Sequence, residues 1–248
     1  MKFEKAKAEL DTILDKLSVE SFIANDPISI PKRFSKKEDI EISAFFASIL
    51  AWGQRVTIIN NTNKLMHWMG EEPHQFILHH SDNELKVMEK FVHRTFNSTD
   101  LLYFIEVLKH FYSKGNSLEN YFIGETMKDK IAHFHQSFFD FDFAPSRTRK
   151  HIANPAKNSS AKRLNMYLRW MVRNDELDFG IWKSINTSEL KCPLDVHVQR
   201  AAFHFGLLTR TQQDWKAVEE LSDNLLLLDG VDPIKYDLAL FKWSEGKM

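Results

Sequence analysis

KCPLDVHVQRAAFHFGLL, residues 191–208, is the stretch that sets the fold class. Pro193 stops a helix from running through from upstream. Beyond it Val198, Ala201, Ala202, Phe205 and Leu208 recur at helical spacing, so the stretch predicts a helix opening after Asp195, with that aspartate at the N-cap. Two readings of Asp195 are open. It is a helix cap alone, since Asp is a preferred cap residue, or it has chemistry of its own, with His197 and Arg200 close behind it.

The same period recurs at about 2–18, 39–52, 56–69, 84–94, 99–112, 119–139, 160–173, 196–208, 212–228 and 233–243. Strand signals are nearly absent. No Asn-Gly or Asp-Gly pair is flanked by period-two runs, and Leu228-Asp229-Gly230-Val231 reads as a helix stop before Asp232-Pro233. The pattern predicts an all-α fold: one helical unit over 1–248, with sub-bundles at 20–140 and at 141–248 together with 1–19, and a cleft between the bundles. A seam is expected at 140–160, where DFDFAPSRTRKHIANPAKNSS replaces the period with Pro, Ser, Asn and charge.

A chain of 248 residues with 43% hydrophobic content can bury a sizeable core, and a net charge of −1 excludes neither a folded domain nor an oligomer. The single cysteine, Cys192, cannot form an internal disulfide or supply a cysteine-based zinc site or iron–sulfur cluster, as expected in a reducing cytoplasm. The N-terminal MKFEKAKAELDTILDKL carries charge every few residues and has no apolar signal core, and no stretch approaches the roughly 18–20 apolar residues of a membrane span. The expectation is a cytoplasmic chain without a membrane partner. The histidines form no HExxH arrangement, and His79 with His80 and His133 with His135 lack helix-face metal spacing, so neither metal nor cofactor is expected.

Near-neutral charge conceals a basic segment. From Pro145 to Arg173 stand Arg147, Arg149, Lys150, Lys157, Lys162, Arg163, Arg169 and Arg173, with no Asp or Glu among them. Such a run either neutralises phosphates or is a solvated face balanced by acidic neighbours in space. Ser159 and Ser160 open the helical run SSAKRLNMYLRWMV, whose first amides would suit a phosphate oxygen.

Three segments together resemble the helix-hairpin-helix (HhH-GPD) DNA glycosylase superfamily. LDVHVQRAAFHFGL at 194–207 is similar to the segment that carries that family's catalytic Asp, with Asp195, His197 and Arg200 in register. ISAFFASILAWGQRVTIINNTNKLM at 42–66 is similar to its early helix, which ends in a Gln-containing turn before a second helix, and Gln54 takes the Gln position. The region from Pro155 to Met171 falls where the family places its hairpin and, in members with lyase activity, a lysine at the next helix start, here Lys162. The chain is also similar to a bacterial family of unknown function. It departs from the superfamily pattern at the hairpin, where NPAKNSSAKR contains no glycine, so the turn must be built differently. Lys162 and Asp195 are also 33 residues apart, a long spacing for the superfamily.

The resemblance implies a base-excision enzyme acting on duplex DNA with a damaged base. Breaking a glycosidic bond builds positive charge on the sugar, and a carboxylate such as Asp195 stabilises it or activates a nucleophile. Lys162, between basic neighbours Lys157 and Arg163, is the candidate amine for a Schiff base; its other reading is a phosphate-binding or solvated lysine. Gln54, Arg147, Arg149, Lys150, Lys157, Arg163, Arg169, His197 and Arg200 are the expected DNA-binding residues, His197 as an orienting group. Trp52, Trp170 and Trp182 are expected in the core rather than on an extruded base. The competing function is a non-catalytic helical module that binds nucleic acid or protein through the same basic face.

Overall fold

Phe45, Phe46, Phe104, Phe134 and Phe138 meet in one aromatic cluster, with Phe104 and Phe138 ring centres 4.7 Å apart and Phe45 and Phe104 stacked at 5.8 Å. All five are essentially buried. They are the core of the first of two compact units in this computed structural model, which describes residues 2–246. The central unit comprises Ile23–Glu125 and Lys130–Ala153; the terminal unit comprises the chain through Phe22, Thr126–Asp129 and Asn154 onward.

Twelve α-helices follow in chain order among the described residues: α1 Lys2–Asp15, α2 Val19–Ala24, α3 Lys37–Ile49, α4 Arg55–Trp68, α5 Pro73–His79, α6 Asp82–Met88, α7 Ser98–Tyr112, α8 Met127–Phe138, α9 Lys162–Val172, α10 Val196–His204, α11 Trp215–Leu228 and α12 Tyr236–Glu245. The fold is all-α. Its only sheet among those residues is a two-stranded antiparallel hairpin, β1 Val92–His93 and β2 Phe96–Asn97, with two isolated β-bridges and short 3-10 turns elsewhere. Two expectations are corrected here. The segment read as helical over 84–94 ends at Met88 and turns into β1, and only Met127–Phe138 of the 119–139 segment is α-helical.

Local chemistry fixes the helix starts. Asn97 and Asp100 form a reciprocal capping box at α7, as do Ser81 and Glu84 at α6, each satisfying two of the amides a helix leaves open. In the central unit α3 packs on α4 and α5, and α7 on α5 and α6. Asp100 also holds down the 3-10 run Ser146–His151: it accepts from Thr148 Oγ1 at 2.7 Å, with His151 Nε2 3.3 Å away.

In the terminal unit α12 packs on α1 and α10. Tyr236 at the start of α12 donates to Asp11 at 2.8 Å and accepts from Lys7 at 2.9 Å, which ties α1 to α12. Burial, with the neighbouring Asp11 bond, pushes the Tyr236 hydroxyl pKa above its ordinary value. Trp170 and Trp182 are buried as expected; Trp182 meets Tyr167 edge-on at 5.3 Å. Trp52 is not fully buried, contrary to expectation, because it stands on the turn between α3 and α4.

Candidate functional site

The hairpin without glycine is built on two left-handed residues of another kind. Asn154 Oδ1 caps a short turn over Pro155–Lys157, Asn158 then adopts φ +63°, and Ala161 adopts φ +48° immediately before α9. Asn tolerates this region because its side chain can bond locally; alanine has no such compensation, and the conformation costs it about 1 kcal/mol. Asn158 is held from outside the turn. Its Nδ2 donates to Asp214 Oδ2 at 3.0 Å, and its carbonyl accepts from Trp215 N at 3.3 Å. Asp214 in turn caps α11 through Ala217 N and takes a bidentate bond from Arg210 at 2.7 and 2.5 Å, so one carboxylate fastens the hairpin to α11.

Lys162 is the first residue of α9, and Asp195 is the N-cap of α10. Asp195 Oδ1 accepts from His197 N at 2.9 Å and Val198 N at 3.0 Å, so the cap reading is part of its role. Its other oxygen, Oδ2, lies 3.3 Å from Lys162 Nζ. The lysine side chain is 31% exposed and the aspartate 23%, so the pair can be reached from solvent. Two helix N-termini therefore meet at one ion pair, and the positive ends of their dipoles favour negative charge there. The charge placed against Lys162 is a carboxylate, where the sequence suggested basic neighbours. Lys157 is exposed; Arg163 is half-buried, and burial pushes its guanidinium pKa down to about 10.

Behind the pair lies an internal series of ion pairs that the sequence did not suggest. Arg169 follows Lys162 on α9 by seven residues, close to two helical turns, and Arg173 is the residue that caps the C-terminus of α9. Arg169 bonds Asp237 through Nη1 and lies 3.4 Å from Asp178 through Nε. Arg173 bonds Asp178 through Nη1 and Asp232 through Nε and Nη2 at 2.8 and 2.9 Å, with Asp175 at 2.9 Å. Both arginines are buried, so Arg169 is corrected from a DNA-facing residue to a core ion-pair residue. Burial raises the pKa of Asp178 and Asp237 despite these arginines, and the charge of Asp195 adds to the rise at Asp237. Cys192 Sγ donates to Asp237 Oδ1 at 3.7 Å; burial, then Asp237, pushes its thiol well above the ordinary range.

The remaining expected residues divide between the units. Arg147, Arg149 and Lys150 belong to the central unit, and the rest of the basic segment belongs to the terminal unit. Arg147 is paired with Asp100 at 3.0 Å and also donates to Asn97 Oδ1 and to Thr95 O. Arg149 donates to Phe139 O at 3.2 Å with its guanidinium over the Phe139 ring. Lys150 and Arg200 are exposed. Gln54 is the exposed N-cap of α4 and makes no side-chain cap bond. His197 packs edge-on against Phe241, and its Nδ1 is buried with no hydrogen-bond partner among the described residues.

Among the described residues, no group of three or more His, Cys, Asp or Glu is placed to hold a metal ion, and no helix is long and apolar enough to cross a membrane. No curated protein and no solved structure matches the chain. Residues 26–245 match the family model described as "Protein of unknown function (DUF2400)", and the chain belongs to that family.

Proposed function

We propose that the chain is a DNA base-excision enzyme of the glycosylase type, with Lys162 as the amine nucleophile and Asp195 as its proton acceptor. The observation that carries this reading is the solvent-reachable ion pair of Lys162 Nζ and Asp195 Oδ2 at 3.3 Å, set where two helices begin. An ammonium must lose a proton before it can attack, and Oδ2 is within reach while Oδ1 stays committed to the helix amides. Lys162 then bonds C1′ of the deoxyribose as the C1′–N bond breaks, and its electron pair leaves on the base, which takes the proton from Asp195. The bound nitrogen then gives up a second proton, its lone pair forms the C1′=N bond as the C1′–O4′ bond breaks, and O4′ takes up that proton, leaving a protonated imine. Returned to a carboxylate once the base has taken its proton, Asp195 faces the positive charge of the C1′ ammonium and of the imine that follows.

The test uses the purified chain with duplexes that each carry one damaged base, and with a duplex carrying an abasic site, in the presence of borohydride. Hydride reduces the imine and leaves a covalent protein–DNA adduct. Lys162→Gln removes the adduct while duplex binding persists, and Asp195→Asn slows base release itself. An adduct that persists in Lys162→Gln moves the nucleophile elsewhere. Absence of both base release and adduct on every duplex leaves the non-catalytic module as the better account.

A further inference from the structure

The β1–β2 hairpin is fastened to the turn between α3 and α4. His93, buried, accepts from Asn61 Nδ2 at 2.9 Å and donates through Nε2 to the Trp52 carbonyl at 3.2 Å. The two elements approach so closely that a Cβ on Gly53, which has φ +107°, would stand 3.1 Å from Arg94. Arg94 occupies the first position of the two-residue hairpin turn with φ +56°, a left-handed conformation that glycine or asparagine adopts at less cost. Its guanidinium lies over the Trp52 ring, 4.9 Å from the centroid. An arginine kept at a glycine-type position and stacked on a half-exposed tryptophan calls for a reason beyond folding.

We infer that the hairpin tip and the Trp52–Val56 turn form one nucleic-acid-contacting ridge, in which Arg94 takes a backbone phosphate and Trp52 and Gln54 meet bases. The inference rests on the proposed action on DNA and adds a binding element to it. Charge favours this partner: residues 42–70 and 90–99 contain no Asp or Glu, whereas Arg55, Lys64, Lys90 and Arg94 lie within them. A cation stacked on a ring, beside exposed Gln54 and Arg55, matches the phosphate-plus-stacking recognition of nucleic acids. Val56 on the turn and Val92 on the hairpin are the exposed large apolar residues of the two elements, too little apolar surface to favour a bilayer.

The discriminating variant is Arg94→Gly, since glycine suits the backbone at this position and the fold is retained. Fluorescence anisotropy with a labelled duplex, intact or with one abasic site, is read across a salt series. Arg94→Gly and Arg94→Asn each weaken binding about tenfold and reduce the slope of log affinity against log salt by about one. Lys114→Ala, an exposed charge elsewhere in the central unit, leaves both unchanged. Wild-type affinity and slope in both Arg94 variants, or no duplex binding by the natural chain, overturns the ridge. Binding that depends on Arg94 with neither base release nor borohydride adduct retains the ridge and rejects the enzyme.

Discussion

Replacing Asp237 by Ala tests whether the buried ion pairs of α9 hold the terminal unit together. Arg169 would lose the carboxylate on its Nη1 and would keep Asp178, which it shares with Arg173, leaving its buried charge half-compensated. Breaking a buried pair from one side costs about 3–5 kcal/mol, because the remaining charge is left without compensation. For a chain of 248 residues this lowers Tm by about 10 °C. Tryptophan fluorescence is a suitable probe: Trp170, Trp182, Trp215 and Trp243 report on the terminal unit, against Trp52 and Trp68 in the central unit. Urea midpoints read by that signal give the loss directly. The double variant Arg169→Met with Asp237→Leu recovers most of it, since apolar groups of similar volume replace a buried pair at little cost. A loss below about 1 kcal/mol in Asp237→Ala, or additive losses in the double variant, refutes the reasoning.

Asp195→Asn keeps an oxygen on the amides of His197 and Val198 and costs little stability, whereas Asp195→Ala loses the cap and costs about 1 kcal/mol; both lose base release, which separates the cap from the chemistry in a paired melt and activity assay. The Arg210 bond holds the Asp214 carboxyl well below the usual carboxylate range, so its stabilisation is full above about pH 4 and is lost as pH falls below that. Asp214→Asn, still a competent cap, therefore flattens the acid limb of a stability-versus-pH curve; an unchanged limb places the acid sensitivity elsewhere.

The long helices were legible because each repeats its apolar face over several turns, as α7 and α11 do. The seven-residue α5, which opens on Pro73, is too short to establish a period. The β-hairpin was hidden for a chemical reason: Arg94 stands where the turn signal would have been glycine or asparagine. Lys162 and Asp195 could be singled out by residue type and position, but nothing in a 33-residue separation places their atoms within 3.3 Å. The basic run misled at Arg169 and Arg173 because counting charge within it does not locate counter-charges, and these lie beyond its end, from 2 to 68 residues away.

Cys192 gives the molecule a built-in clock. It is the only thiol in the sequence, fully buried, and its proton is held both by the absence of water and by Asp237. A thiolate-specific reagent in solution therefore cannot react until the terminal unit opens around it. The labelling rate of the untouched protein measures how often that happens. The same seclusion leaves the surface free for a single introduced cysteine to carry a dye or cross-linker without first removing the native one.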